Sequence, residues 1–296
     1  MPKKSLFTVV LCYTIWGVMP LYWHLLANVS PTLVLCCRLI FGALFCVLLL
    51  CCMKRFADIP ALFKNKAAMR YLLVAAPVIC INWGVYIWAI GAGHTLDASL
   101  GYYMNPLLVF VFSILLFKEK CGGIQLIAII VAIAGVAISV LVYGRFPYVA
   151  LILALSFAAY GVIKKKAHAD PIVSTAVETL SVTPFFLLFC LFFQRESIAA
   201  LQGAEPLLLV IGGALTVVPL MLYASSVNHL PFVTVGFAQY ICPTLMGVCG
   251  VLMGETLTPD KLLSLLFILA ALLIYSVGMV RDYKKAKREE AAKASI

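Results

Sequence analysis

Charged residues are scarce in this sequence. Only 11% of its 296 residues are charged while 64% are hydrophobic, and the mean hydropathy is +1.09. So few charges cannot cover a chain of this length with a polar surface, which excludes a soluble globular protein. The composition instead predicts a polytopic integral membrane protein.

Motifs for catalysis and for nucleotide binding are missing as well. The sequence has no Gly-rich phosphate-binding loop, no HExxH, no Ser/His/Asp set and no paired carboxylates. ATP is therefore excluded as the direct energy source. A membrane-embedded enzyme that acts on a lipid or an intramembrane substrate is kept as the alternative hypothesis. A scaffold or receptor is disfavoured because the chain lacks long loops.

Metal-binding patterns are also lacking. The 11 cysteines form no CxxC pair, and the 4 histidines follow no metal-ligand spacing, so we expect no metal and no cofactor. The net charge of +10 would indicate nucleic acid in a soluble protein. In a membrane protein the basic residues are judged by the side on which they lie, and we expect no nucleic-acid partner.

Apolar runs of about 20 residues, the length that a membrane-spanning helix needs, recur along the whole chain. They predict an all-α protein with ten transmembrane helices. Only the connections around residues 54–68 and 194–205 are longer than a turn. The predicted spans are 6–26, 32–53, 69–91, 97–117, 122–143, 148–163, 172–193, 206–227, 232–253 and 261–280.

The basic residues distribute unevenly over the two sides. With ten crossings, nearly all of the 22 Lys and Arg residues fall on the side of the N-terminus, and only Arg145, Arg195 and Lys261 fall on the other. The positive-inside rule then predicts a cytoplasmic membrane location with both termini in the cytoplasm. Lys164–Lys166 are interpreted as an orienting anchor of this kind.

The two sets of five helices form a weak internal repeat. Pro31 precedes Arg38 by seven residues, as Pro171 precedes Glu178, and the pair Tyr103 and Pro106 matches Tyr240 and Pro243. Since five is odd, the second set enters the membrane from the opposite side. Inverted repeats often mark transporters, whose substrate site lies near the midplane between them. The predicted divisions are 1–143, 144–283 and a cytoplasmic tail, 284–296.

Two charged residues lie deep within predicted helices. Arg38 and Glu178 each lie about 10 Å from a membrane surface, at 1.5 Å per helical residue. Burying a charge at this depth costs about 2.5–3.5 kcal/mol on insertion scales, so both are expected to face inward and to have partners. The sequence leaves open whether they pair with each other or with substrate. Glu178 is the candidate for proton coupling, because intramembrane carboxyl groups often mark proton paths.

Polar and aromatic side chains recur at helical spacing within the spans. The stretch from Asp97 to Pro106 is the densest, and its repeat partner runs from Pro231 to Pro243. Such stripes should face a cavity, although interhelical packing is the alternative for any single member. Trp23, by contrast, is predicted to be an interfacial anchor. The predicted substrate-binding residues are Tyr13, Trp16, Arg38, Asn82, Tyr86, Trp88, Tyr102, Asn105, Glu178, Tyr223, Gln239 and Tyr240.

Several short motifs in the chain are specific enough to indicate a family. They are Tyr13-Thr14-Ile15-Trp16-Gly17, Asn82-Trp83, Ala98-Ser99-Leu100-Gly101-Tyr102, Asn105-Pro106-Leu107 and Gln239-Tyr240. With these motifs the sequence resembles the RarD-type members of the EamA group in the drug/metabolite transporter superfamily. The resemblance implies two inverted five-helix repeats around a central cavity and transport of small organic solutes by alternating access. One departure is Lys118-Glu119, where Gly-Glu is usual.

The functional hypothesis is a secondary transporter that moves a small organic metabolite or drug across the cytoplasmic membrane. One cation, one anion and several aromatic faces in the cavity would suit a zwitterionic or hydrogen-bonding solute. The expected partners are this small-molecule substrate and membrane lipid. The sequence leaves open whether the chain is a monomer or a homodimer, and whether it exports or imports.

Overall fold

The computed structural model describes residues 3–91, 95–120, 122–144, 146–254 and 259–294. Arg145 and the side chains of Asp97 and Lys261 lie outside the described part. Within it the regular structure is α-helical. The helices are α1 (Lys3–His24), α2 (Pro31–Cys52), α3 (Asp58–Lys64), α4 (Lys66–Gly91), α5 (Thr95–Phe117), α6 (Gly123–Tyr143), α7 (Tyr148–Ala167), α8 (Pro171–Phe193), α9 (Arg195–Ala199), α10 (Glu205–His229), α11 (Phe232–Gln239), α12 (Ile241–Leu252) and α13 (Pro259–Ala294).

The long helices confirm the predicted all-α membrane fold. In the described residues nine spans, with α11 and α12 counted together as Phe232–Leu252, are long and apolar enough to cross a membrane. A shorter apolar stretch, Leu266–Arg281, lies within α13 at the predicted tenth span. The short helices α3 and α9 occupy the two connections that are longer than a turn. The chain is a multi-pass membrane protein.

Proline breaks one of the spans in two. Pro243 has no backbone N–H, so it cannot bond to the carbonyl of Gln239, four residues earlier. The turn at Tyr240, between α11 and α12, lies at this point. Pro106 and Pro219, which could also have broken their helices, lie inside continuous α5 and α10.

The helix contacts are symmetric under exchange of the two halves. The first long helix of each half packs on the third long helix of the other half, as α1 does on α10 and α7 on α4. In the same way α5 packs on α7 and α1 on α12, while α2 packs on α8 and α6 on α13. These contacts form the interface between the two five-helix repeats. Helices of both halves therefore line the centre of the bundle.

The end of α5 has a left-handed residue that is not glycine. Lys118 has φ 52°, its N–H donates to the carbonyl of Ile114, and the N–H of Glu119 donates to that of Ser113. A side chain in this conformation is disfavoured by contact between Cβ and the backbone, whereas glycine adopts it freely. The geometry therefore explains why Gly-Glu is usual here in the family that the sequence resembles.

We expect Lys118→Gly to raise the free energy of unfolding by about 1 kcal/mol, because it removes the Cβ from a left-handed helix end. Reversible unfolding of the purified protein in mixed micelles measures the change. Lys120→Gly is the control, since Lys120 is not among the residues with positive φ. Equal effects of the two substitutions would contradict this account of the helix end.

Candidate functional site

A cavity of about 470 Å³ lies at the centre of the bundle, within the size range of small-molecule sites. Both repeats contribute to its wall, through α1, α2, α4 and α5 on one side and α7, α11 and α12 on the other. Most of the predicted substrate-binding residues line it, namely Tyr13, Trp16, Arg38, Asn82, Tyr86, Tyr102, Asn105 and Gln239.

The cavity extends to one end of the bundle. Its wall includes His24, Ala27 and Pro31, from the connection between α1 and α2, and Met253, which follows α12. His24, Ala27, Pro31 and Met253 are all exposed. Since α1 starts at Lys3, this is the end opposite to the N-terminus. The cavity is therefore open on that side.

Arg38 supplies a positive charge to the wall of the cavity. Its guanidinium carbon lies 4.7 Å from the ring centroid of Trp23 and 4.7 Å from that of Trp83. Its Nε donates to Thr216 Oγ1 at 3.0 Å, and that hydroxyl donates to the carbonyl of Gly212. Among the described residues no carboxylate lies within ion-pair distance of Arg38. Two cation–π contacts thus hold a charge that has no anionic partner there.

Close approach of two helices positions Arg38. A Cβ on Gly213 of α10 would lie 2.4 Å from the backbone carbon of Phe41 and 2.6 Å from the nitrogen of Gly42 in α2. Only glycine permits this distance. Arg38 lies one turn before Gly42, so the close contact brings it beside Thr216, which lies one turn after Gly213.

Asparagines brace the wall from the other side. Asn82 Nδ2 donates to the carbonyl of Leu153 at 2.8 Å and to Ser156 Oγ at 2.8 Å. Asn105 Nδ2 donates to the carbonyl of Ala154 at 2.6 Å. These bonds connect α4 and α5 to α7, across the boundary between the repeats. Both asparagines therefore have a packing role in addition to lining the cavity.

Polar atoms without partners lie at the cavity. The hydroxyl of Tyr13, Asn105 Oδ1 and Gln239 Oε1 are buried and make no hydrogen bond among the described residues. Each such atom costs about 1–3 kcal/mol. Proline also removes the helical donor from three main-chain carbonyls of the lining residues. These carbonyls belong to Trp16, Tyr102 and Gln239, four residues before Pro20, Pro106 and Pro243.

Aromatic rings close the cavity on the side of the N-terminus. Trp16 lies 5.8 Å from Phe157 between ring centroids, and Phe157 lies 5.6 Å from Tyr223. Tyr223 stacks on Tyr160 at 5.9 Å, and Tyr13 meets it edge-on at 6.4 Å. We call these five residues the aromatic floor. Tyr13, Tyr160 and Tyr223 are fully buried, so the floor separates the cavity from the closed end.

Glu178 lies beyond the aromatic floor and does not line the cavity. Lys164 Nζ donates to Glu178 Oε1 at 2.7 Å and to Ser174 Oγ at 3.0 Å, while Tyr160 donates to Glu178 Oε2 at 3.1 Å. Lys164 and Glu178 are only 3% and 4% exposed. The partner of Glu178 is thus Lys164 rather than Arg38, and the cavity holds a cation without the expected anion.

Ion pairs join the repeats at the closed end. The carboxylate of Glu119 accepts from the N–H groups of Phe232 and Val233, at the first turn of α11, and lies 3.6 Å from Lys165 Nζ. Lys165 also donates to the carbonyl of Leu230, at the end of α10. A second inter-repeat pair connects Arg55 and Asp170 at 3.1 Å. We call the contacts of Glu119 with Lys165 and α11 the closed-end tie.

The structure separates the predicted residues into two groups. Glu178, Tyr223, Tyr240 and Trp88 do not line the cavity: Tyr240 packs on Phe237, and Trp88 is 53% exposed. The first two lie at or below the aromatic floor. One turn along a helix changes which neighbour a side chain meets, and spacing on a single helix does not reveal that.

Other residues of the site were missed by the sequence analysis. The ring centroid of Trp23, which was predicted to be an interfacial anchor, lies 4.7 Å from the guanidinium carbon of Arg38, and that of Trp83 lies at the same distance. Lys164, which was interpreted as part of an orienting anchor, is buried as the partner of Glu178, because α7 continues to Ala167, beyond the predicted end at 163. The sequence did contain a signal for this contact. Lys164 follows Tyr160 by one helical turn, and Glu178 lies on the next helix along the chain.

Comparisons with known proteins agree with this architecture. The model of the EamA-like transporter family matches residues 3–141 and 147–277. A crystal structure of another protein superimposes with a TM-score of 0.72 at 15% identity, over 94% of this chain and 98% of that one. At such low identity the superposition supports the fold alone.

Curated relatives cover nearly the full length. The chain is 36% identical over 292 residues to the uncharacterized transporter YojE of Bacillus subtilis, covering 97% of both chains. It is 32% identical to protein RarD of Escherichia coli, over 97% of this chain and 98% of the relative. A Pseudomonas aeruginosa relative named chloramphenicol-sensitive protein RarD is 27% identical, over 91% and 92% of the two chains.

The pair of Lys164 and Glu178 yields a stability prediction. Lys164→Met should lower the free energy of unfolding by about 3 kcal/mol, because it leaves a buried carboxylate without its cation. The double variant Lys164→Met/Glu178→Leu should recover most of the loss, since no charge is left buried. Reversible unfolding in mixed micelles measures both.

Lys166→Met is the matched control, because Lys166 is exposed on the same helix. We expect its effect to stay within about 0.5 kcal/mol. A double variant as unstable as Lys164→Met would show that the loss comes from packing of the lysine stem and not from the unpaired charge.

Proposed function

Because this chain belongs to the EamA-like transporter family, we propose that it is a secondary transporter that moves a small organic metabolite or drug across the cytoplasmic membrane. The observation that carries the proposal is the central cavity, which both repeats line and which is open at one end of the bundle and closed at the other. A site that is accessible from one side at a time is what alternating access requires.

The closed end supports this mechanism. Its two barriers are the aromatic floor, which is apolar and densely packed, and the inter-repeat ion pairs beyond it. A rocking motion of one repeat against the other would separate Glu119 from α11 and open the floor. Charge-assisted hydrogen bonds of this kind contribute about 1.5–3 kcal/mol each, which is small enough for substrate binding energy to offset.

The cavity sets the kind of solute that we propose. Tyr, Trp and Phe faces suit an apolar or aromatic body, while unpaired amide oxygens and a hydroxyl suit hydrogen-bonding groups. The relative whose name refers to chloramphenicol supplies a first compound to test, since that molecule joins an aromatic ring to several hydrogen-bonding groups.

Proton linkage through Glu178 is part of the proposal. Tyr160 of the aromatic floor donates to the carboxylate of Glu178, which connects this carboxylate to the floor of the cavity. Opening of the closed end would give water access to Glu178 and Lys164. Proton transfer to Glu178 would then leave Lys164 without its partner, which couples protonation to the conformation.

Orientation and assembly complete the proposal. Both termini lie in the cytoplasm by the positive-inside rule, so the open end faces away from it. Both repeats of one chain line the cavity, so we propose that a single chain forms the transport site. Family and relatives point to a transporter rather than to an enzyme, and no described arrangement of residues favours catalysis on a lipid.

Counterflow in proteoliposomes tests the transport proposal. Labelled chloramphenicol outside should accumulate transiently in vesicles that are preloaded with the unlabelled compound, and it should be recovered chemically unchanged. Tyr102→Ala and Gln239→Ala should reduce this exchange while the protein still inserts, because both side chains line the cavity.

A panel of small organic solutes, competing with the label or preloaded in its place, extends the test to other substrates. An imposed pH gradient should change the rate for wild type but not for Glu178→Gln at matched protein level. Exchange by none of the solutes would contradict transport, and equal pH responses would contradict the role of Glu178.

The closed-end tie can be tested by accessibility. Glu119→Gln removes the charge that holds α11 and Lys165, so the closed end should open more often. In a variant that retains Cys12 as its single cysteine, a maleimide should label the thiol several-fold faster, because Cys12 is fully buried behind this end. Glu196→Gln, at an exposed site near the opposite end, serves as control. Unchanged labelling would contradict the gating role.

A further inference from the structure

We propose that the transport site selects monocarboxylates with a flat apolar body, and that Arg38 binds the carboxylate. The inference rests on the proposed function and names the substrate class of that same cavity. Four observations carry it: the free edge of the Arg38 guanidinium, the two indoles that contact it, the absence of an acid among the described lining residues, and the aromatic rings that line the cavity.

One edge of the Arg38 guanidinium makes a hydrogen bond within the protein. Nε donates to Thr216, whereas no hydrogen bond from either terminal nitrogen to a described residue is found. Those two nitrogens form the planar fork that matches a carboxylate through two parallel hydrogen bonds. Arg38 lines the cavity, so a solute can reach this edge.

The indoles of Trp23 and Trp83 stabilise Arg38 without neutralising it. Each ring centroid lies 4.7 Å from the guanidinium carbon. Cation–π contacts at this distance stabilise the charge but leave it available to an anion. The two rings also restrict the long side chain of Arg38, which lowers the entropy cost of binding.

The charge balance favours a single negative charge. The described lining contains no Asp, Glu or Lys, and Arg38 and His24 are its basic residues. Lys164 neutralises Glu178 below the aromatic floor. A carboxylate would cancel the charge of Arg38, whereas a dianion would leave excess charge in an apolar site and a cation would be repelled.

The aromatic rings that line the cavity determine the kind of ligand body that fits. Tyr86 and Tyr102 meet edge-to-face at 5.9 Å, and Trp16 and Phe157 do so at 5.8 Å. All four line the cavity. Such surfaces bind a ring or a flat alkyl chain and offer little to a sugar or a polyol. The site therefore combines one anion-binding fork with an aromatic slot.

Binding of matched probes tests the proposal. The probes are 3-phenylpropionate, its neutral isostere 3-phenylpropionamide and the cation phenethylamine. Titration of the purified protein in detergent is followed by tryptophan fluorescence, because two of the four tryptophans flank Arg38. We expect the carboxylate to bind about tenfold or more tightly than the amide, and the amine to bind more weakly still.

Variants assign the preference to Arg38. Arg38→Gln should remove the difference between carboxylate and amide, and Arg38→Lys should keep part of it, since the charge remains without the fork. His24→Gln should keep the full preference. Arg38→Gln leaves the Thr216 hydroxyl bonded to Gly212, so we expect this variant to fold. Arg38→Lys keeps the charge and gives an independent measurement of the preference for the carboxylate over the amide.

Several outcomes would overturn the proposal. These are undetectable carboxylate binding at millimolar concentration, equal binding of carboxylate and amide, or a preference that survives in Arg38→Gln. Counterflow with labelled 3-phenylpropionate separates this inference from the proposed function. Selective binding without exchange would leave the anion site standing and contradict transport, whereas exchange of neutral solutes alone would leave transport standing and contradict the substrate class.

Discussion

The free energy needed to bury charge in an apolar bundle constrains the whole structure. Glu178 meets this demand through Lys164 and Tyr160, in a pair that is almost fully buried. Glu119 meets it through Lys165 and the first turn of α11, where the helix dipole favours an anion. Arg38 differs, because among the described residues its charge is stabilised by two aromatic rings and one hydroxyl and by no carboxylate. That difference distinguishes a structural charge from one available to a ligand.

The placement of these charges follows from the symmetry of the repeats. Helices that correspond in the two halves pack on one another, so the cavity forms where the halves meet. The contact at Gly42 and Gly213 sets the depth of Arg38 in the wall. The aromatic floor then divides the bundle into an open half, where Arg38 lines the cavity without an anionic partner among the described residues, and a closed half whose ion pairs join the repeats. Charge distribution and accessibility are thus consequences of one packing arrangement.

Much of the architecture is readable along the chain. Apolar runs indicated the helices, and the repeat with its prolines indicated the two halves. Lys118 departs from the usual Gly-Glu motif, and its left-handed backbone explains why glycine is usual at this position. Most of the predicted cavity residues do line the cavity, since an aromatic or amide side chain within a span has few other places to face. Their roles in binding stay predictions.

The sequence by itself determined the membrane class, the helices, the repeat and the short list of polar side chains within the spans, because hydrocarbon imposes length and polarity on each segment separately. Tertiary structure alone decided the partners. The sequence left open whether Arg38 and Glu178 pair with each other or with substrate, whereas in the folded chain Lys164 binds Glu178 and two tryptophans contact Arg38. Contacts between helices depend on rotation and crossing angle, which spacing along one helix does not contain. The net charge of the cavity is therefore a property of the folded bundle.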